Sequence, residues 1–178
     1  MKYDKIDTNL FIKNRKNFIN KLEQNSVAFF NSNDIYPVSA DSTLPFEQHR
    51  DIFYLSGIDQ EESILVLFPD SLNENFKEIL FIRETNDHIV HWEGEKLTKS
   101  AALEISGIKN IYWLGEFDEI LSKILKQTDH VYINTNEHYR QNVETQTRED
   151  RFIEKLKNFG GLSFKKSNPI LQYLSLIH

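Results

Sequence analysis

Residues Ser63–Phe68 read SILVLF, an unbroken Ile/Leu/Val/Phe run closed by Pro69-Asp70. A run with no polar alternation is what a strand buried on both faces requires, so it reads as a central strand. Across the polar turn DSLNENF the chain gives Lys77–Arg83 (KEILFIR), its expected hairpin partner. A sheet apolar on both faces must be covered twice. That requirement restricts the rest of the chain to supplying helices for both sides.

The remaining pattern supplies them. Thr8 is a candidate N-cap for a first helix, with Leu10, Phe11, Arg15, Phe18, Ile19 and Leu22 at helical spacing and Asn25 as its end. Ser26–Asn31 reads as a buried strand, and residues 31–45 as a long polar loop. Thr98 or Ser100 opens a helix through Ile105, with Gly107 placed for a left-handed C-terminal cap. Ile111–Trp113 and His130–Asn134 read as strands, and Glu116–Gln127 and Thr147–Phe159 as helices, the last closed by Gly160-Gly161. Lys165-Lys166 reads as a solvated loop, and the tail after Asn168-Pro169 as an apolar segment. The expected fold is a single α/β domain over residues 1–178, a three-layer α/β/α stack with a mixed central sheet.

Composition narrows the function classes. The formal net charge is −6 and no basic run exceeds two lysines, so no positive face for nucleic acid is written here. Cysteine is absent, which removes disulfides, thiolate catalysis and cysteine-based zinc sites together. No stretch approaches the roughly 20 apolar residues of a membrane span. The N-terminus MKYDKIDTNLF lacks a signal-peptide core, so a cytoplasmic location with no membrane partner is expected.

A self-sufficient active site is not legible. His88 and His91 stand three apart, with Asp87 and Glu93 beside them, but the local signals read as a strand end and hairpin loop. Residues three apart in a strand point to opposite faces, so no metal role is assigned. His130 and His138 lack partners at a useful spacing. Acidic runs such as Asp59-Gln60-Glu61-Glu62 and Asp118-Glu119 read as solvated faces. No GxSxG, P-loop or GxGxxG occurs, and Gly160-Gly161 follows a helix where a phosphate cradle would open one.

The run Asp41-Ser42, Pro45-Phe46, Gln48, Asp51, Phe53-Tyr54-Leu55-Ser56-Gly57 and the following strand resembles the N-terminal domain of Xaa-Pro aminopeptidases, the creatinase/prolidase type. Trp92-Glu93-Gly94 is similar to the family's Trp-x-Gly element and follows the hairpin strand, as there. The Gly115-Glu116-Phe117 helix start then comes in the family's order. One departure is Glu47, where family members commonly carry Arg; a salt bridge from that position carries over only if His49 or Arg50 supplies it.

The resemblance implies a non-catalytic accessory domain. Family members add a C-terminal pita-bread domain holding two divalent ions, usually manganese, on two Asp, one His and two Glu, which hydrolyses the bond before a penultimate proline. A chain of this length is expected to lack that domain, to hold no cofactor of its own and to be inactive alone. Its expected partners are its own catalytic domain, short Xaa-Pro peptides at the entrance and other copies in an oligomer. By resemblance Trp92 lies at a substrate rim, or else covers the sheet edge; Asp41 approaches the catalytic domain, or else forms a turn. Asp51 is expected to cap the turn holding Phe53 and Tyr54, both read as core, while Gly57 permits the turn before the strand and Gly94 completes the Trp motif. A second reading keeps the fold without the peptidase: a stand-alone protein-interaction module, as in a histone chaperone subunit.

Overall fold

A computed structural model describes residues 4–40, 42–135 and 146–175, with the backbone alone of Asp87 and Trp92. Helix α1 spans Thr8–Ile19, strand β1 Ser26–Asn31, and β2 (Pro37–Ser39) and β3 (Ser42–Thr43) form a small ribbon. Then follow α2 (Arg50–Ser56), β4 (Ile64–Leu67), β5 (Glu78–Ile82), α3 (Asp87–Glu93) and α4 (Lys99–Ser106). The chain continues through β6 (Asn110–Trp113), α5 (Phe117–Leu125), β7 (His130–Ile133), α6 (Arg148–Lys157), β8 (Ser163–Lys166) and α7 (Asn168–Ser175).

Six strands form one mixed sheet in the order β6-β5-β4-β1-β7-β8. β4 runs antiparallel to both neighbours, with Phe30 opposite Leu65 and Leu65 opposite Leu80. The pairs β5–β6, β1–β7 and β7–β8 are parallel. The SILVLF run is the central strand, as its composition requires.

Alternation along each strand sorts the core into two layers. Val27, Phe29, Ile64, Val66, Ile79 and Phe81 face α5 and α6. Ala28, Phe30, Leu65, Leu67, Leu80 and Ile82 face α1, α2, α4 and α7. The first layer is held by edge-on aromatic contacts, with Phe81 and Phe117 centroids 5.0 Å apart and Phe29 and Phe152 5.2 Å apart. The α/β/α sandwich expected from the apolar runs is the observed one.

Several local expectations are corrected. α1 starts at Thr8, capped by Asp7, and ends at Ile19, six residues before Asn25. The polar loop after β1 contains the β2–β3 ribbon. Residues 87–93 form α3, where a strand end and hairpin loop were expected. The Asn86 side chain accepts the Ile89 amide at 3.0 Å and starts the helix, and Gly94 closes it. Lys165 and Lys166 lie in β8, an edge strand on β7. Charged edges of this kind discourage further pairing, which is why the segment reads as loop. The tail folds as α7, whose Leu171 and Leu174 join the core.

The acidic run 59–62 is not a solvated face either. Glu61 is buried and ion-paired with Lys96, and the buried Gln60 accepts the Leu97 amide at 2.6 Å. Asp118 and Glu119 are exposed and paired with Lys155 and Lys123, as a surface run should be.

Candidate functional site

The sheet brings two parallel strands, β1 and β7, side by side, and the chain leaves them in opposite directions. After β1 it goes to α2, whose Ile52 and Leu55 pack on one face. The helix described after β7 is α6, whose Phe152 and Leu156 pack on the other. Adjacent parallel strands whose helices diverge leave a crevice beyond their carboxyl ends. Here it measures about 580 Å³ and is lined by Asn33, Asp34, Gln48, His49, Arg50, Asp51, Asn134, Thr147, Arg148, Glu149 and Asn168, among others.

Each wall has a local cause. On the α2 side, the Gln48 amide donates to the Ile58 and Gln60 carbonyls at 3.0 and 2.9 Å and fixes the approach to the helix. His49 is the N-cap, its Nδ1 accepting the Asp51 amide at 3.3 Å. On the α6 side, Thr147 and Asp150 form a reciprocal capping box, with Thr147 Oγ1 taking the Asp150 amide at 3.3 Å. Asp34 closes one end through a two-bond pair with Arg151, at 2.8 and 3.0 Å.

Between these walls sits a polar cluster. The Asn134 amide donates to Asp51 Oδ2 and lies 3.3 Å from His49 Nε2. His49 Nδ1 is 3.9 Å from Asp51 Oδ2. Burial pushes the Asp51 carboxyl up; His49 and the Asn134 bond oppose it without cancelling it. Glu149 is 8% exposed and its Oε1 has no hydrogen-bond partner. Burial raises this carboxyl too, with Asp34 adding to the rise and His49, its own backbone amide and Arg148 opposing it. Burial lowers the Arg148 guanidinium, against the charges of Asp34, Glu62 and Glu149. A second cavity of about 400 Å³ adjoins, sharing Arg50, Asp51 and Asn168 and adding Tyr54, Leu171 and Gln172.

Of the residues singled out from sequence, Asp51 enters this crevice, together with its motif neighbours Glu47, Gln48, His49 and Arg50. Asp51 belongs to the first turn of α2 and does not cap it. Phe53 and Tyr54 are half-buried on that helix, Phe53 edge-on to Phe11 at 6.3 Å and Tyr54 packed against the core that Ile52 and Leu55 enter. Gly57 is the left-handed C-cap of α2 (φ 71°), where an added Cβ would lie 2.4 Å from Phe11 Cε2. Trp92 falls in the last turn of α3 and Gly94 is its C-cap, with Glu93 between them held by Arg83 Nη1 at 2.6 Å. Asp41 lies outside the described residues. Glu47 is exposed, and its carbonyl accepts the Asn33 amide at 2.9 Å.

In helix α3, His88 and His91 share a face, which removes the argument first made against them. Among the described residues, however, no three His, Cys, Asp or Glu side chains come together as a metal would require. His130 has a neighbour the sequence hides, Glu23 at 3.8 Å. Sequence reasoning missed His49 as a site residue, and Asn134, Arg148 and Glu149 altogether. The one available signal was the Thr147-x-x-Asp150 capping pattern opening an apolar-periodic run.

Residues 11–132 match the family aminopeptidase P, N-terminal domain. The chain belongs to that family. It is 24% identical over 168 residues to the Xaa-Pro aminopeptidase of Escherichia coli, covering 94% of this chain and 37% of that protein. It is 31% identical over 103 residues to human Xaa-Pro aminopeptidase 3, covering 57% of this chain and 20% of the relative. A solved Bacillus anthracis structure, assigned as an aminopeptidase P, superposes with a TM-score of 0.79 at 24% identity over 90% of this chain and 38% of its own. An E. coli aminopeptidase P variant solved with substrate gives a TM-score of 0.74 at 24% identity, over 94% of this chain and 38% of its own. The chain thus spans between a fifth and two fifths of the length of these relatives. No described helix is long and apolar enough to cross a membrane.

Proposed function

We propose that this chain is the non-catalytic N-terminal domain of an Xaa-Pro aminopeptidase, whose remaining part removes the first residue from peptides with proline second. The observation that carries the reading is the family match over residues 11–132. In this reading the hydrolytic machinery is two divalent ions, manganese by resemblance, held on two Asp, one His and two Glu of a following domain. The chain itself contributes shape.

Two surfaces suit that role. Trp92, in the last turn of α3, and Asp41 are the proposed rim residues of the substrate entrance. The ribbon leaves Ile35, Tyr36, Val38 and Leu44 exposed, at 39 to 59% each. Apolar side chains gathered on one small ribbon are what a contact with a catalytic domain, or with another copy in an oligomer, would cover. A cytoplasmic location belongs to the same proposal.

The exposed ribbon also fits the second reading, a protein-interaction module without peptidase chemistry. Reading the coding sequence beyond His178 separates the two. The proposal expects two Asp, one His and two Glu in the order that a dinuclear hydrolase needs. A downstream region without that set would leave the interaction module as the better account.

A further inference from the structure

We infer that Arg83 is the positioning residue for Trp92: its guanidinium latches the last turn of α3 to the turn before β4 and so holds the Trp92 backbone in place. This deepens the rim role proposed above and rests on it for the task of Trp92; the latch itself stands on geometry.

α3 is set apart by how it is held. Every other described α-helix places at least one side chain in the two core layers, whereas none of the described α3 side chains belongs to either. Its Val90 is 40% exposed. A seven-residue helix has no stability of its own, so something else must dock it. Its start is fixed by the Asn86 cap and its end by charge. Arg83 Nη1 and Nη2 reach the two carboxylate oxygens of Glu93 at 2.6 and 2.8 Å, a two-bond fork. Nε of the same guanidinium lies 3.2 Å from Glu62 Oε2. One side chain beyond the end of β5 thus joins α3 to the turn before β4.

That turn is shaped to receive it. Glu62 has a left-handed backbone (φ 52°), a conformation that glycine adopts freely and glutamate only at a cost. A side chain kept at such a position, and in contact with Arg83, points to use of its carboxylate. The two residues before it secure the segment after α3: Glu61 pairs with Lys96, and Gln60 accepts the Leu97 amide. Residues 60–62 therefore hold the chain on both sides of Gly94. Isolated surface ion pairs contribute little, but a forked, bridging arginine is the exception. On a helix outside the core, even a modest contribution decides whether it stays docked.

The test is amide hydrogen exchange by NMR on the ¹⁵N-labelled 178-residue chain. The Val90 and Gly94 amides, bonded to the Asn86 and Val90 carbonyls at 3.0 and 3.1 Å, report on α3, and the amides of the central strand β4 report on the whole fold. Arg83→Gln is expected to speed exchange of the α3 amides about fivefold while β4 stays within about twofold of the parent. Glu93→Gln should do the same, and the double variant should add nothing further. Arg83→Lys, which keeps the charge without the fork, should recover part of the protection. Glu62→Gly relieves the left-handed backbone while removing the carboxylate, so α3 should loosen with β4 protected as well as before or better. A merely structural contact would move both together. Unchanged α3 exchange in Arg83→Gln overturns the inference. So does a loss shared equally by β4, or Arg83→Lys as unprotected as Arg83→Gln. None of these readouts involves peptide hydrolysis, so failure of the latch is distinct from failure of the rim role, which Trp92→Ala in a complete aminopeptidase tests.

Discussion

At the scale of single residues, stability rests on positions where one atom decides the outcome. Gly57 combines a left-handed backbone with the Phe11 ring where a Cβ would stand. Gly57→Ala is expected to destabilise the fold by about 2–4 kcal/mol, backbone strain and overpacking together, read from denaturant unfolding. Arg15 is 1% exposed, donates to the Leu55 carbonyl at 2.9 Å and meets Glu78 at 3.3 Å, tying α1 to the end of α2 and to β5. Glu78 keeps partial contact with water, so Arg15→Met should cost only about 1–3 kcal/mol. The half-buried Asp51 and the buried Glu149 carboxyls carry raised pKa values in the folded state. Their contribution is therefore fully present below the ordinary carboxylate range and is lost as pH rises through the folded values. Glu149→Gln removes its share of that loss. Its stability relative to the parent chain should improve as pH is raised from acid through that window; a relative stability flat with pH would contradict the assignment.

At the scale of elements, what the sequence discloses depends on whether a local pattern or a distant partner sets the structure. The runs in β1, β4 and β5 announce themselves because both faces are apolar. Thr98 and Gly107 bracket α4 because caps are chemically local: Thr98 Oγ1 takes the Ala101 amide at 3.1 Å. The same holds for α6, where Thr147→Ala should lower stability by about 1 kcal/mol in thermal unfolding. α2 and α3 escape this logic. Each is seven residues long, too short for periodicity to declare itself, and each is started by a side chain, His49 or Asn86, that also reads as a turn former. β8 escapes for another reason: an edge strand of Ser-Phe-Lys-Lys has no apolar alternation, and its place is fixed by register with β7. The crevice was least legible of all. It depends on strand order, and it joins His49 and Asp51 to Asn134 and Glu149 across more than eighty residues of chain.

At the scale of the whole molecule, the two-sided sheet is a rigid carrier with its polar features gathered at loop ends. The apolar ribbon and the Trp92 helix are presented outward by that carrier, and the polar crevice opens at the ends of β1 and β7. Within a complete aminopeptidase of the proposed kind, Trp92→Ala should lower kcat/KM on Xaa-Pro peptides by about tenfold. In the proposed role, this chain shapes a cleft whose chemistry lies in another domain. The most direct test assays the purified chain on Xaa-Pro peptides with added manganese. No release of the first residue above buffer is expected; release that grows with both chain and manganese concentration would overturn the non-catalytic role.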